Sequence, residues 1–377
     1  MDYNRLLAQR VSGIEASGIR KIFDLAATIK DAINLSIGQP DFDVPDPIKD
    51  ACIDAIRSGF NRYPPSAGIP ELRALVLDHY EQLHGVRPES SIITSGTSGG
   101  LTLALMALVN PGDEVLVPDP YFVSYKHLTA MCGGTAVYYD TYPDFGFDAS
   151  RLEKLITPRT KVILAMSPAN PTGVCLSHKQ KTELADLARA NNLIIISDEI
   201  YELFTYGNPD GLPNKSLGAY YPEGTLAVGG LSKTLAMTGW RVGWVTGPSA
   251  LVESLIKLQQ FTFVCAPSTA QKAALGAFKI DLSDKVEQYR RKRDFLVSGL
   301  RAAGYDVVEP GGAFYLFPRI PAKFATGQQY VEEAIKHRLL LVPGNVFSNR
   351  DTHFRISYAA SDAILEDGLK VMQELAG

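Results

Sequence analysis

Cysteine is scarce. Only Cys52, Cys132, Cys175 and Cys265 occur among 377 residues, and no two stand in a CxxC spacing. A disulfide scaffold is therefore excluded, and the four are expected as reduced, buried side chains of a cytoplasmic protein, with one reactive thiol left open. The six histidines are dispersed, with no HxH or HxxxH, so a protein-ligated metal is not expected. Neither sign of charge dominates: Lys and Arg number 37, Asp and Glu 41, for a net charge of -4. Without a basic excess or a Lys/Arg-rich run, the chain has no electrostatic footprint for nucleic acid. No apolar run approaches the ~20 residues that span a bilayer. The charged start, MDYNRLLAQRVSGIEASGIRKIF, lacks the apolar centre of a signal peptide.

What remains is a 46% hydrophobic, 21% charged chain, enough for a sizeable core in one large domain or two ordinary ones. Short β-branched runs, "DEVLVP" (113–118), "TKVILAMS" (160–167), "NLIIIS" (192–197) and "TLAVGG" (225–230), read as strands. They are apolar on both faces, as in a sheet covered by helices on each side. Helical patterns lie between them. Ser177 with Gln180 three residues on is a capping box opening a helix to Asn191. Ile69, Leu72, Leu75, Val76 and Leu83 mark another helix. The alternation predicts an α/β fold with a mostly parallel sheet. About a dozen residues separate Gly230 from "VGWVTG" (242–247), marginal for a crossover helix, so an antiparallel neighbour reached by an open loop is expected there.

The last hundred residues differ. A charged helix, roughly 283–303, leads to "GGAFYLF" (311–317), "LLLVPG" (339–344) and "HFRISYA" (353–359), the pattern of a smaller α+β domain with which the first forty-odd residues can pack. The expected division is a large domain over 46–284 and a small one from 1–45 with 285–377.

Ligands of a parallel α/β sheet gather beyond the carboxyl ends of its strands. Asp198, Glu199 and Tyr201 follow "NLIIIS", Asn170 follows "TKVILAMS", and Lys233 follows "TLAVGG". "SIITSG" runs into Thr97, Ser98 and a helix expected to begin near Gly99. Glycines 96, 99 and 100 around Thr97 and Ser98 make an anion cradle of free backbone N–H groups, and Arg241 adds a charged, two-toothed contact. Lys233 near a carboxylate suits a Schiff-base lysine, and Asp198 a partner for a protonated ring nitrogen. Taken singly, each has a plainer reading. Lys233 and Arg241 serve as solvated loop cations, Phe122 as core, Tyr63 as loop packing, Arg355 as half of an ion pair, and Gly38 as a turn former.

In order along the chain, "LSIGQPDF" (35–42), "YPPSAG" (63–68), "SPANPTG" (167–173), "SDEIY" (197–201), "GLSKTLAMTGWRVG" (230–243), "GGAFYLF" and "FRISYA" resemble the sequence blocks of the class I aminotransferases. This is the aspartate and aromatic aminotransferase family of pyridoxal phosphate (PLP) enzymes, and the likeness runs from about Arg20 onward. It implies the fold type I architecture and a homodimer. Lys233 would form the internal aldimine and shuttle the proton. Asp198 would face the pyridine nitrogen, Tyr201 and Asn170 the ring 3-oxygen, and Phe122 the ring face. Gly96, Thr97, Ser98 and Arg241 would hold the phosphate, with Tyr63 reaching it from the second subunit. Arg355 would clamp the substrate α-carboxylate, with Asn170 and the Gly38 backbone beside it. Where some members carry a phosphate-binding serine three residues before the lysine, this chain has Gly230; Ser232 is nearer. The implied reaction is ping-pong transamination between an aspartate, glutamate or aromatic donor and a 2-oxo acid, usually 2-oxoglutarate. The alternative is a PLP-dependent lyase of the same fold, of the C–S lyase type. A non-enzymatic regulator is disfavoured, because the likeness starts within twenty-odd residues of Met1, and a Rossmann protein because no GxGxxG follows the first strand. Arg20, Lys126 or a cation from the partner chain is a candidate to read a side-chain carboxylate.

Overall fold

The computed structural model describes residues 1, 3–12, 14, 18 and 29–377. Its centre is a seven-stranded sheet in the order β2-β8-β7-β6-β5-β3-β4. The strands are β2 (Ser90–Ser95), β3 (Glu114–Asp119), β4 (Thr135–Asp140), β5 (Thr160–Met166), β6 (Ile194–Asp198), β7 (Thr225–Gly230) and β8 (Val242–Gly247). All neighbours run parallel except β8, which is antiparallel to both β2 and β7. Gly230 faces Gly243 across that antiparallel pair, so the segment between them is an open loop with a single 3-10 turn at Thr238–Trp240.

The two-residue period of a strand explains why these runs are apolar throughout. Val162 and Leu164 of β5 pack on one side of the sheet with Leu101, Leu103, Ala104 and Leu105 of the helix Gly96–Leu108. Ile163 and Ala165 point the other way, onto Leu184, Ala185 and Ala188 of the helix His178–Ala190. That helix opens with the expected capping box between Ser177 and Gln180.

Four expectations need correction. β4 was not anticipated; it is the edge strand, only partly buried, and its TAVYYD sequence lacks the apolar run of a central strand. The helix expected near Gly99 begins at Gly96, because the left-handed Gly96 (φ +68°) turns the chain straight out of β2. The helix Pro70–His84 buries Leu72, Val76, Tyr80 and His84, a four-residue stripe, and leaves Leu83 exposed. Of the four free cysteines only Cys175 is buried; the other three are half-buried.

Among the described residues, five further short strands and three helices form a second layer. β1 (Ile33–Asn34) pairs in parallel with β10 (Leu339–Leu340). β9 (Tyr315–Leu316), β12 (Phe354–Ser357) and β11 (Val342–Pro343) form an antiparallel sheet with β12 in the middle. The helices Ser283–Ala302, Gly327–Lys336 and Asp362–Ala376 complete this layer. Residues 33–35 are thus tied to the C-terminal segment, and β12 carries Arg355 toward the strand ends of the large sheet. No helix among the described residues is long and apolar enough to cross a membrane.

Candidate active site

The carboxyl ends of β5, β6 and β7 and the start of β8 converge on a cavity of about 490 Å3. Ten of the twelve residues singled out from the sequence line it: Gly38, Thr97, Ser98, Phe122, Asn170, Asp198, Tyr201, Lys233, Arg241 and Arg355. Gly96 lies just beneath it. Tyr63 stands away from it, 84% exposed. Lys126 is outside the lining, with its Nζ 5.8 Å from the Tyr121 ring. Arg20 falls outside the described residues.

One end of the cavity is built from glycines because three backbones meet there. A Cβ on Gly96 would lie 2.3 Å from Arg241 Nη2, and one on Gly243 would lie 2.6 Å from Thr97 N. Only residues without a side chain let the guanidinium lie against the start of the helix Gly96–Leu108. Gly230 is tightly but less severely packed, with Thr97 Oγ1 3.0 Å and Val242 O 3.1 Å from the place of its missing Cβ. Arg241 itself adopts a left-handed conformation (φ +57°). Its Nη1 donates to Thr238 O at 2.9 Å and its Nη2 to Ser95 O at 3.3 Å. The first N–H groups of a helix have no intrahelical partner, so Thr97 and Ser98 present theirs, with their hydroxyls, beside a fixed cation. That set suits a phosphate.

Asp198, the last residue of β6, is fully buried. Tyr125 Oη donates to its Oδ2 at 2.9 Å, and Ile200 N donates to its Oδ1 at 3.3 Å. Burial pushes its carboxyl up to about 6, against the pull of those two donors. Lys233 Nζ donates to Gly38 O at 2.7 Å. Burial brings this amine down to about 8, helped by the Arg355 and Arg241 cations and opposed by Asp198. Tyr201 Oη and Tyr315 Oη share a 2.8 Å hydrogen bond, and burial holds both phenols above their ordinary range.

Arg355 is 1% exposed. Its Nη1 donates to Asn170 Oδ1 at 3.0 Å and its Nη2 to Ser36 O at 2.7 Å. Its Nε has no partner, and the guanidinium is sandwiched between Tyr315 and Phe347, 4.6 and 4.8 Å from the ring centres. No carboxylate pairs with it among the described residues. A buried guanidinium held only by neutral oxygens is costly to keep, and an anionic ligand offsets that cost.

Sequence reasoning missed Tyr125, Tyr315 and Ser36. Tyr315 sits inside the quoted GGAFYLF block, and Tyr125 lies one helical turn beyond Phe122; those two positions were the available signals.

The family described as "Aminotransferase class I and II" matches residues 30–370. The chain is 36% identical to the aromatic-amino-acid aminotransferase 2 of Thermococcus litoralis, over 98% of each protein. It is 35% identical to the aspartate aminotransferase of Pyrococcus abyssi, again over 98% of each. Among solved structures, the aspartate aminotransferase from Thermus thermophilus with maleate superposes with a TM-score of 0.92 at 34% identity, covering 98% of this chain and 99% of that one. With the glycine-built anion cradle, the desolvated lysine and the buried arginine at the mouth of a fold type I sheet, these likenesses lead to one conclusion: the chain belongs to the class I and II aminotransferases and is an aminotransferase.

Proposed function

We propose that the protein moves an amino group between an L-amino acid and a 2-oxo acid, 2-oxoglutarate as acceptor, in a ping-pong cycle with pyridoxal 5'-phosphate as cofactor. The observation that carries this reading is the set of three cations, Lys233, Arg241 and Arg355, around one cavity whose lining holds a single carboxylate, Asp198. The cofactor combines a phosphate, a basic ring nitrogen and an aldehyde. The cavity offers an anion cradle, a buried carboxylate and a neutralisable amine in matching number, and the orphan Nε of Arg355 remains for a substrate carboxylate.

Bound there, pyridoxal phosphate supplies an aldehyde that joins to an amine and a protonated ring that accepts electrons from a broken Cα–H bond. Thr97, Ser98 and Arg241, over the Gly96 backbone, would hold its phosphate. Asp198 would keep its ring nitrogen protonated, Asn170 and Tyr201 would face the 3-oxygen, and Phe122 the ring. Lys233 is the amine for the aldehyde. Its lowered pKa lets Nζ give up and regain a proton near neutral pH, as a general acid–base needs. Arg355 would hold the substrate α-carboxylate two-toothed, with Gly38 and Asn170 beside it, which would fix the substrate's place beside Lys233.

The donor is aspartate, glutamate or an aromatic amino acid. All three cations of the described lining are already assigned, whereas Ile37, Leu101, Phe122 and Val123 give it an apolar wall; this supports the aromatic choice. The distal carboxylate of the acceptor then takes its cation from Arg20 or a partner subunit. A homodimer belongs to the proposal, with Tyr63 reaching the partner's phosphate site. The exposed Tyr63 and Phe261 lie on neighbouring elements, because Gln259 donates to Ser66 O and Ile93 O. The domain division is likewise proposed: 46–284 carries the cofactor, and 1–45 with 285–377 carries Arg355.

A donor panel with 2-oxoglutarate, read as oxo acid and glutamate formed, tests the reaction. Equal turnover without any acceptor, with ammonia released, replaces transamination by the lyase reading.

A further inference from the structure

Among the described residues Asp198 has two protein donors, and one of them comes from far along the chain. Tyr125, 73 residues earlier, is fully buried on the helix Ser124–Met131 and gives its hydroxyl proton to Asp198 Oδ2. Its ring also meets that of Phe122 edge to face, 5.6 Å between centres at 85°. The helix fixes this placement: Tyr125 N donates to Phe122 O at 3.0 Å, and Thr129 Oγ1 donates back to Tyr125 O at 2.8 Å. One side chain thus braces both the aromatic that lines the cavity and the carboxylate at its floor.

We infer that Tyr125 is a positioning residue for Asp198, fixing the carboxylate's orientation and keeping it ionised toward the ring nitrogen of the cofactor. The inference rests on the function proposed above. A phenol has one proton to give. Given to Oδ2, it leaves that oxygen one further lone pair, while Ile200 N occupies a site on Oδ1. The carboxylate is therefore held at both oxygens and cannot rotate freely. The hydrogen bond also favours the ionised form in a place where burial favours the neutral one. The other groups facing Asp198 are Glu199, which opposes ionisation, and Lys233, which supports it; Tyr201 stands beside them, two residues after Glu199. Without the phenol oxygen, Oδ2 is left buried and unpaired. The carboxyl then takes up a proton from solvent and no longer holds a protonated ring nitrogen by charge.

The test is a double-mutant cycle on the full-length chain with Tyr125→Phe and Asp198→Ala, read by the dissociation constant for pyridoxal phosphate. Circular dichroism and thermal unfolding of Tyr125→Phe check that the fold persists. Tyr125→Phe is expected to weaken cofactor binding at least about tenfold in the wild-type background, the effect of one hydrogen bond to a charged group. In the Asp198→Ala background it should change binding less than about twofold, because the partner it positions is gone. The pH midpoint of the bound cofactor's visible band should also move in Tyr125→Phe, and kcat should fall more than KM rises. Equal losses in the two backgrounds, or unchanged affinity and band midpoint, overturn the role of Tyr125. A wild-type chain that takes up no pyridoxal phosphate overturns the cofactor reading, and this inference with it.

Discussion

Replacing Lys233 with methionine should make the cofactor-free protein more stable at pH 7. The amine sits half-buried among two other cations, and its folded-state pKa is near 8, against roughly 10.4 in an unfolded chain. Holding it charged at pH 7 therefore disfavours the fold by up to about 3 kcal/mol, at about 1.4 kcal/mol per pH unit. Water in the cavity screens part of this, and the lost bond to Gly38 O takes back about 1 kcal/mol. A net gain of about 1–2 kcal/mol follows, which raises Tm by roughly 1–3 °C for a chain of this length. The pH dependence has a definite sign. The folded pKa lies below the unfolded one, so between pH 8 and about 10.4 the unfolded chain holds more protons and wild-type stability climbs with pH. Lys233→Met should lack that climb. Thermal unfolding of both cofactor-free proteins at pH 7 and pH 9.5 measures it. A methionine variant that is less stable at pH 7, or that shows the same climb, refutes the reasoning.

Arg355→Gln should raise KM for the amino donor by about 100-fold or more, since a charged two-toothed contact is lost; steady-state kinetics with a donor series check this. Gly96→Ala should weaken binding of pyridoxal phosphate, because its Cβ would sit 2.3 Å from Arg241 Nη2 and its φ of +68° disfavours any side chain; a binding titration reads the loss, and unchanged affinity contradicts the cradle. Burial raises the Glu202 carboxyl, but its bonds to His79 and His84 outweigh burial and bring it down to about 2. Its stabilisation is present above about pH 4.3 and drains as pH falls toward 2, so Glu202→Gln should shift acid unfolding to higher pH.

The central strands and the Lys233–Arg241 loop were legible because their signals are local. A run such as TKVILAM is apolar on both faces only if both faces are covered, and glycines at 230, 239 and 243 announce a backbone that must pass close to something. β4 was hidden because an edge strand needs no continuous apolar run. The helix start at Gly96 was misplaced by three residues, since only the fold reveals which glycine takes the left-handed turn. Tyr125 and Ser36 were beyond local reading. Their importance lies in contacts with Asp198 and Arg355, 73 and 319 residues away, which neither the spacing of Tyr125 from Phe122 nor the place of Ser36 in LSIGQPDF shows by itself.

The central claim is that Lys233 Nζ is the amine that takes the cofactor's aldehyde. Incubating the protein with pyridoxal phosphate, reducing with borohydride and mapping the digest by mass spectrometry tests it directly. The account predicts the reduced cofactor on the peptide containing Lys233 and none on the Lys233→Met protein. Label on another lysine, or equal labelling of both proteins, contradicts it.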